Sequence, residues 1–423
     1  MKPRTTFRIA TGLWQLAAAM LLAVLVAAPA VAQGPIRVGL LLTYVGPTAL
    51  FARYEAKGAR VLIDQVNKTG GINGRPIELV NYDTEGKPDR AGSLYRRLAQ
   101  EDKAVAVIGP DSIFVTLGMS AVPNEVRVPS VCAAGNYELI DVKNREYIST
   151  AWGSGGYAMG MVLGYFKDKL RVNRIGMITT ADKIGELNAS MVRAIGKLVG
   201  IELVEAVSQP ASDRDLLPSL RKLALIKPPL EGLMVFGSGP FGTIAINQTE
   251  LAGLNVPVGY IGGNVIPELI KDVGPETGKR TYIATARLAV SDTLPKSDPF
   301  HEILQQFVKD YQTLHGERPA MPSGVGYDMA LPIVEALKAV GPDPLKIRDH
   351  IRTGQKNLMG RQGTRFNRTP EDAYGTDPRD TVVVTIDRGN FVFKAYLMES
   401  FARLGVKEEA VQAQLREFKL IAR

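Results

Sequence analysis

The sequence predicts an α/β protein in which parallel sheets are divided between two lobes. Three observations lead to this fold class: short β-branched runs alternate with helical patterns, the alternation restarts after Trp152, and the chain is long for a single core. Strands that alternate with amphipathic helices are typical of parallel β-α-β units. Because single domains commonly hold about 100 to 200 residues, a chain of 423 residues favours two lobes.

The first half of the chain contains the clearest alternation. Strands are predicted over residues 36–42, 77–82, 104–108 and 128–132, and helices over residues 52–67, over residues 90–100 and from near Ser112. The strand runs are apolar on both faces, as expected for parallel strands that helices cover on both sides.

The second half repeats the pattern and so predicts a second sheet. Its strands are expected over residues 174–179, 201–207, 232–236 and 256–261, with helices between them. The helix over residues 188–199 places Met191, Ile195 and Val199 on one stripe, and another amphipathic helix follows Pro299. Strands near residues 381–386 and 391–396 are expected to return to the second lobe, before a C-terminal helix that docks on a lobe.

The N-terminus has the order of a secretory signal peptide. Cations at Lys2, Arg4 and Arg8 precede an apolar run over residues 13–26, and Ala30-Val31-Ala32 offers a small-residue cleavage site. A membrane anchor is the alternative, but the apolar run is shorter than the ~20 residues that a spanning helix needs. We expect cleavage after Ala32 and export to the periplasm.

Cysteine and charge exclude some classes of protein. Cys132 is the only cysteine, so an intrachain disulfide is excluded. It ends an apolar run, which favours a buried hydrophobic role over a nucleophilic one. The formal charge is +8, but Lys and Arg are spread along the chain, so nucleic-acid binding has little support.

Catalytic motifs are missing from the sequence. His301-Glu302 begins like a zinc-protease signature, but Gln305 stands in place of its second histidine. The sequence contains neither a G-x-S-x-G elbow nor a Walker A loop. We therefore expect no catalytic residue, no metal and no cofactor, and a protein that is not an enzyme.

One stretch resembles a known family. After a helix with Gly58, Asp64 and Asn67, the run GGINGRPIEL (residues 70–79) is followed by a strand pattern that ends at Gly109. This order and spacing resemble the type I periplasmic solute-binding proteins of ABC transporters, in the leucine/isoleucine/valine-binding (branched-chain amino acid) family. Elements at residues 129–131, 174–176, 326–328 and 332–339 match the same family, so the resemblance covers nearly the whole exported chain.

The resemblance implies two doubly wound parallel-sheet lobes joined by three crossing strands, near Ala151, Ala284 and Leu358. Lobe 1 would hold residues 33–151 and 285–358, and lobe 2 residues 152–284 and 359–400, before a C-terminal helix over residues 401–423. A small-molecule ligand would bind in the cleft between the lobes by hinge closure. The resemblance further implies that the protein is a monomer and delivers the ligand to membrane permease subunits.

The resemblance also indicates ligand-binding positions. In lobe 1 they fall on Ile113, Ala134 and Asn136; Ser112 is either a ligand donor or a helix cap. In lobe 2 they fall on Ile184, on Gly239 within residues 237–240, and on Asn264. Three aromatic residues are either cleft walls or ordinary packing: Tyr44, Trp152 and Tyr327.

The ligand class follows from two departures from the family pattern. Gly155 and Asn264 stand where amino-acid binders carry acidic residues for the ammonium group, and a buried unpaired charge is costly. We therefore expect a carboxylate-bearing apolar or aromatic compound rather than an amino acid. A ligand-sensing receptor subunit of a signalling system is the alternative function, and a hydrolase is a distant third.

Overall fold

The structure is a computed structural model of the chain. It describes residues 34–46, 49–134, 145–152, 158–237, 240–261, 265–370 and 375–417. The α/β fold class predicted from the sequence is confirmed, since parallel strands alternate with helices in two separate sheets.

The first sheet belongs to lobe 1. Its strands are β1 (Ile36–Leu42), β2 (Ile77–Asp83), β3 (Val107–Ile108), β4 (Ser130–Cys132) and β5 (Ile148–Thr150). Within the described residues, all five pair in parallel in the order β2-β1-β3-β4-β5. The helices between them are α1 (Ala49–Lys68), α2 (Pro88–Gln100), α3 (Ile113–Gly118) and α4 (Val122–Val126).

The second sheet belongs to lobe 2. Its parallel strands are β6 (Arg174–Thr180), β7 (Glu202–Gln209), β8 (Gly232–Val235), β9 (Val258–Ile261) and β10 (Thr281–Ala286). The intervening helices are α5 (Ala158–Leu170), α6 (Lys183–Val199), α7 (Leu217–Ala224), α8 (Pro240–Leu251), α9 (Pro267–Ile270) and α10 (Pro275–Lys279). The strand order begins β7-β6-β8-β9-β10.

The remaining elements complete both lobes. They are α11 (His301–His315), α12 (Met321–Val340), α13 (Pro344–Thr353), β11 (Leu358–Met359), β12 (Arg365–Phe366), β13 (Thr381–Asp387), β14 (Asn390–Tyr396), α14 (Leu397–Arg403) and α15 (Glu408–Glu417). The last two strands extend the β10 edge antiparallel, as β10-β13-β14. Val411 of α15 is buried in the core of lobe 2, so the C-terminal helix docks there.

Helices cover both faces of each sheet. In β1, Leu40 and Leu42 pack in a core cluster with α1, whereas Leu41 packs on the opposite face with Tyr95 of α2. Alternate side chains of a strand point to opposite faces, so both faces must be covered by helices. Lobe 1 is therefore doubly wound, and in β6 of lobe 2 the adjacent residues Met177 and Ile178 likewise pack in different core clusters.

Helices α1 and α12 pack in backbone contact. A Cβ atom at Gly326 would meet the backbone carbonyl of Glu55, and one at Gly58 would meet that of Ser323. Of the 20 residues of α12, 16 are buried. Among the helices in the described ranges, none is long and apolar enough to cross a membrane.

The chain passes between the sheets at three places. It leaves lobe 1 after β5, returns after β10, and crosses again between β11 and β13. Ala284, where the second crossing is predicted, lies inside β10, and the turn of 3-10 helix at Arg287–Val290 follows it. The lobe boundaries themselves stay predictions.

Candidate functional site

Each sheet has a point where its strand order reverses. In lobe 1 this switch point lies between β1 and β3, and in lobe 2 between β6 and β8. Ligands of open α/β sheets bind beyond the carboxyl ends of the strands at such points, because the loops there diverge and leave a crevice. The segments that follow these four strands therefore form the candidate site.

Polar side chains connect the strand ends of lobe 1. The Thr84 hydroxyl donates to Thr43 Oγ1 (2.8 Å), and the Thr43 hydroxyl donates to Asp111 Oδ1 (2.8 Å). The other oxygen, Asp111 Oδ2, is buried and has no hydrogen-bond partner in the part of the chain that the structure describes. Burial raises the pKa of the Asp111 carboxyl to about 6, although hydrogen bonds with Thr43 oppose this effect.

Ser112 lies beside Asp111 at the start of α3. It holds the N-cap position with the extended backbone that is usual there, but its side chain makes no capping hydrogen bond. Ile113 packs against a small buried cluster that includes Cys132 and Ala134. Ala134 is fully buried, and its carbonyl accepts a hydrogen bond from Thr150 (2.9 Å).

Tyr44 follows β1 at the same edge of the sheet. Its ring is half-buried, and its hydroxyl donates to Asn81 Oδ1 (2.9 Å). Its backbone N–H donates to Asp83 Oδ1 (3.0 Å). Burial raises the pKa of Tyr44 to about 12, so the hydroxyl stays a neutral donor. Tyr44 is thus a fixed side chain at the lobe 1 switch point.

In lobe 2, Ile184 lies in the first turn of α6. The helix is capped by Asp182, whose carboxylate accepts from the Gly185 N–H (2.8 Å). A Cβ atom at Gly185 would meet the carbonyl oxygen of Thr180, so only glycine allows the turn to approach β6 this closely. Ile184 is left 50% exposed.

The other two aromatic candidates differ in position. Trp152 is half-buried at the first crossing and packs against the main core cluster. Tyr327 is only 3% exposed, and its ring packs edge-to-face on Phe307 with 5.3 Å between centroids. The burial of Tyr327 favours the packing interpretation over a place in the cleft wall.

Three predicted site residues lie outside the described residues. They are Asn136, Gly239 and Asn264. Gly155, which carries part of the argument about the ammonium group, also lies outside them. The predictions for these positions therefore rest on the sequence alone.

Two buried charged groups connect the crossing segments. Asp328 accepts hydrogen bonds from the backbone N–H groups of Arg361 and Gln362, and the Gln362 side chain also donates to the carbonyl of Ala151 (2.6 Å). Burial raises the pKa of the Asp328 carboxyl to about 6, against the effect of these hydrogen bonds. The first and third crossings are thereby held to α12.

Arg287 holds the second crossing in a similar way. Its guanidinium group donates to Asp298 Oδ2 (2.9 Å), to Asp380 Oδ1 (3.0 Å) and to the carbonyl of Gly363 (2.8 Å). All three charged side chains are buried, where paired charges interact strongly and unpaired ones are costly.

Away from the crossing segments, a side-chain hydrogen bond joins α1 of lobe 1 to α9 of lobe 2. Tyr54 of α1 donates to Glu268 Oε1 of α9 (2.8 Å). Burial and this neighbouring carboxylate raise the pKa of Tyr54. The bond depends on how the lobes are oriented, so it belongs to the relative arrangement seen here.

Cys132 and His315 take structural positions. Cys132 is a free, fully buried thiol, and burial raises its pKa to about 11, so the predicted buried hydrophobic role is confirmed. A ring nitrogen of His315 lies 3.0 Å from the carbonyl of Lys57. Over the described part of the chain, no group of three or more His, Cys, Asp or Glu side chains is placed to hold a metal ion.

Several residues at the switch points were missed by the sequence reasoning. Val45, Phe114 and Leu187 are large apolar residues that the structure leaves exposed there. An apolar residue on the polar side of a helical pattern was the available signal for Phe114 and Leu187. Nothing in the pattern around Thr43 indicates its hydrogen bond to Asp111.

Comparison with known proteins identifies the family. A family model described as "Periplasmic binding protein" matches residues 35–388. This match spans most of the chain, so the protein belongs to the periplasmic binding protein family. The resemblance to type I proteins of the leucine/isoleucine/valine-binding kind is confirmed.

Curated relatives are distant in sequence. An amino acid binding protein of Pseudomonas aeruginosa is 26% identical over 183 residues, which are 43% of this chain and 49% of that protein. The chain therefore spans about half the length of this relative. The leucine-, isoleucine-, valine-, threonine-, and alanine-binding protein of the same species is 25% identical over 345 residues, or 76% of this chain and 83% of that protein.

Solved structures share the fold. An extracellular ligand-binding receptor from Rhodopseudomonas palustris has a TM-score of 0.75 at 21% identity and covers 86% of this chain and all of its own (100%). LivJ from Streptococcus pneumoniae in complex with isoleucine has a TM-score of 0.72 at 21% identity, with coverage of 85% and 99%. A solute-binding protein of an R. palustris ABC transporter, in complex with benzoate, has a TM-score of 0.70 at 19% identity, with coverage of 86% and 96%.

Proposed function

We propose that the protein is the periplasmic solute-binding component of an ABC importer. Its ligand is a small carboxylate-bearing compound with an apolar or aromatic body, and an amino acid is the less favoured ligand. The lobes close around this ligand by bending at the crossing segments. The monomer then passes the ligand to membrane permease subunits. The proposal assigns no catalytic residue, metal or cofactor and no nucleic-acid partner.

One observation carries the ligand class: the two switch points have complementary chemistry. Lobe 1 offers the hydroxyl of Ser112, which the helix does not use, next in sequence to Asp111, whose Oδ2 atom is buried. Lobe 2 presents the half-exposed side chain of Ile184. A ligand with a polar head and an apolar body satisfies both surfaces when the lobes close.

The carboxylate in this proposal is supported by the state of Asp111. A carboxyl group with a pKa of about 6 is more easily neutral than an ordinary aspartate. When neutral it donates a hydrogen bond, and a buried protonated carboxyl is an effective donor to an anionic oxygen. Ser112 thus offers a hydroxyl donor to a ligand carboxylate, and the adjacent residue Asp111 carries a carboxyl group that is more easily neutral than usual.

The apolar body is supported by two further points. The benzoate complex shows that this fold accommodates an aromatic acid. The Pseudomonas aeruginosa relative is named for leucine, isoleucine, valine, threonine and alanine, of which four have apolar side chains. In this sequence, Gly155 and Asn264 replace the acidic residues expected for an ammonium group. Loss of the counter-ion disfavours a zwitterion more than a simple acid.

Thermal shift on the exported protein tests the proposal. The panel contains aromatic acids, aliphatic acids, their amides, amino acids and sugars. A ligand that binds only the folded state stabilises it by ~2.7 kcal/mol at one hundred times its dissociation constant. Stabilisation by acids but not by the matched amides supports the proposal, whereas stabilisation by amino acids alone rejects its ligand class.

A further inference from the structure

The third crossing bonds to both of the others at two adjacent residues. The side-chain amide of Gln362 donates to the carbonyl of Ala151 in the first crossing (2.6 Å). The backbone carbonyl of Gln362 accepts from the N–H of Leu288 in the second crossing (3.0 Å). Next to it, the carbonyl of Gly363 accepts from the guanidinium group of Arg287 (2.8 Å). The three crossings therefore meet at residues 362 and 363.

Arg368 adds a second bond between the first and third crossings. Its guanidinium group donates to the carbonyl of Thr150 (2.8 Å), the residue directly before Ala151. Side chains of the third crossing thus take up two consecutive carbonyls of the first. Both carbonyls belong to buried residues at the end of β5, where the strand pairing stops, and buried carbonyls need hydrogen-bond partners.

Gly363 allows the second and third crossings to approach closely. Its φ is +86°, in the left-handed region that favours glycine. A Cβ atom at this position would lie 2.5 Å from the Cβ atom of Arg287. The contact between these two crossings is therefore built into the backbone and does not depend on one flexible side chain.

Burial makes these bonds costly to break one at a time. The three donor side chains, Gln362, Arg368 and Arg287, are all buried. A buried donor or acceptor that loses its partner costs more than the net value of the bond, because water does not replace the partner. Bending one crossing alone would leave such groups unpaired, whereas bending all three together keeps every bond.

We infer that Gln362 and Arg368, together with the contact at Gly363, make the three crossings move as one unit when the lobes reorient. The inference rests on the bending at the crossings in the proposed function, and it adds that this bending is concerted. Gln362 is then a positioning residue, which acts on binding only through the relative orientation of the lobes.

Distances between spin labels on the two lobes test the inference without a ligand. Ser93→Cys on α2 and Ser190→Cys on α6 carry the labels in the exported protein, since both serines are exposed whereas Cys132 is fully buried. In this background, Gln362→Met removes the amide that bonds to the first crossing. By double electron–electron resonance, the population of orientations other than the main one should rise about fivefold, the ratio expected for one lost hydrogen bond.

Two further variants separate coupling from general destabilisation. Gln362→Asn keeps an amide but shortens its reach, so it should broaden the distances like Gln362→Met, and it decides the test if the methionine variant does not fold. In the control, Gln248→Met removes an amide that accepts from the Leu216 N–H (2.7 Å) and donates to the carbonyl of Arg214 (3.2 Å), all within lobe 2. It should leave the distances unchanged even if it lowers the melting temperature.

Two results would overturn the inference. In the first, the Gln362 variants lower the melting temperature but keep the wild-type distances, so the network only supports the fold. In the second, Gln248→Met broadens the distances as much as the Gln362 variants do, so the effect is not specific to the crossings.

Addition of benzoate separates this inference from the proposed function. If benzoate narrows the distances in wild type and the Gln362 variants behave identically with and without it, the inference alone fails. If neither benzoate nor any other acid of the thermal-shift panel binds, while the Gln362 variants still broaden the distances, concerted bending stands and the proposed ligand class fails.

Discussion

Replacement of Asp111 by asparagine should strengthen the binding of a carboxylate ligand at neutral pH. Burial raises the pKa of this carboxyl to about 6, and its Oδ2 atom has no hydrogen-bond partner among the described residues. A ligand carboxylate beside Ser112 would lie next to it, and two desolvated carboxylates cannot both stay ionised. Wild type must therefore bind a proton together with the ligand, whereas the asparagine variant is already neutral.

The size of the effect follows from the pKa. At pH 7.4, neutralising a group with a pKa of about 6 costs about 1.9 kcal/mol, which corresponds to roughly 25-fold in affinity. The protonated form is the one that binds, so wild-type affinity is full below about pH 6 and falls roughly tenfold per pH unit above it. Asp111→Asn should bind about 25-fold more tightly at pH 7.4 and lose this dependence on pH.

Calorimetry from pH 5 to pH 8, in buffers of different ionisation enthalpy, measures both affinity and proton uptake. At pH 7.4, wild type should take up about one proton for each ligand bound, and Asp111→Asn none. Glu101→Gln removes one exposed negative charge from the far end of α2 and should change neither quantity. If Asp111→Asn binds more weakly at pH 7.4, Asp111 pairs with a cationic group, and the ligand carboxylate is not beside Ser112.

Three further substitutions test the framework around the site. Tyr54→Phe removes the hydroxyl that bonds to Glu268 of lobe 2 and should shift the balance of lobe orientations by about five-fold, measured by small-angle scattering. Tyr82→Phe loses a hydroxyl that is bonded within lobe 1 and should not shift this balance. Because the folded pKa of Asp328 is raised from 3.8 to about 6, this group contributes up to about 3 kcal/mol of stability that is present below pH 4 and lost above pH 6. Denaturant unfolding at several pH values should show this slope in wild type and not in Asp328→Asn. Gly326→Ala forces a methyl group into the backbone of α1 and should lower the free energy of unfolding by about 2 to 3 kcal/mol, whereas Gly274→Ala has open space around it and should be neutral.

The strands could be predicted because each one is a compact apolar run. The strand β1 has its predicted bounds, while β3 begins at Val107 rather than at residue 104. The backbone N–H of Val105 already donates to the carbonyl of Arg37, so the chain is held against β1 before the regular ladder begins. The observed start of β3 is therefore later than predicted because the regular hydrogen bonding between strands begins later, and not because the preceding residues are exposed.

The helix α12 shows where pattern reasoning fails. It is buried on nearly all sides, so its apolar residues have no stripe and its sequence has no helical period. Its close contact with α1 depends on Gly58 and Gly326, which lie far apart in sequence. Only the tertiary fold brings these glycines together.

The candidate site could be predicted in place but not in detail. The order of strands and helices fixes which chain segments lie at the switch points, and Tyr44, Ser112, Ile113 and Ile184 all fall there. Whether Tyr327 is buried could not be predicted, because the exposure of an aromatic residue on α12 depends on the helices that cover it. The unengaged hydroxyl of Ser112 likewise depends on backbone geometry that the residue type does not determine.

The preference for a simple acid over a zwitterion depends on which charged groups of the ligand the site can stabilise when the lobes close. In lobe 1, a ligand carboxylate can be accepted once Asp111 is neutral, because its proton then serves as a donor. An α-amino acid carries an ammonium group on the carbon next to its carboxylate, so that group must also be buried when the lobes close. Asp111 must be protonated to lie beside the ligand carboxylate, and it must be ionised to act as the counter-ion of the ammonium group. It cannot be in both states at once. The measured direction of the pH dependence therefore decides between the two ligand classes.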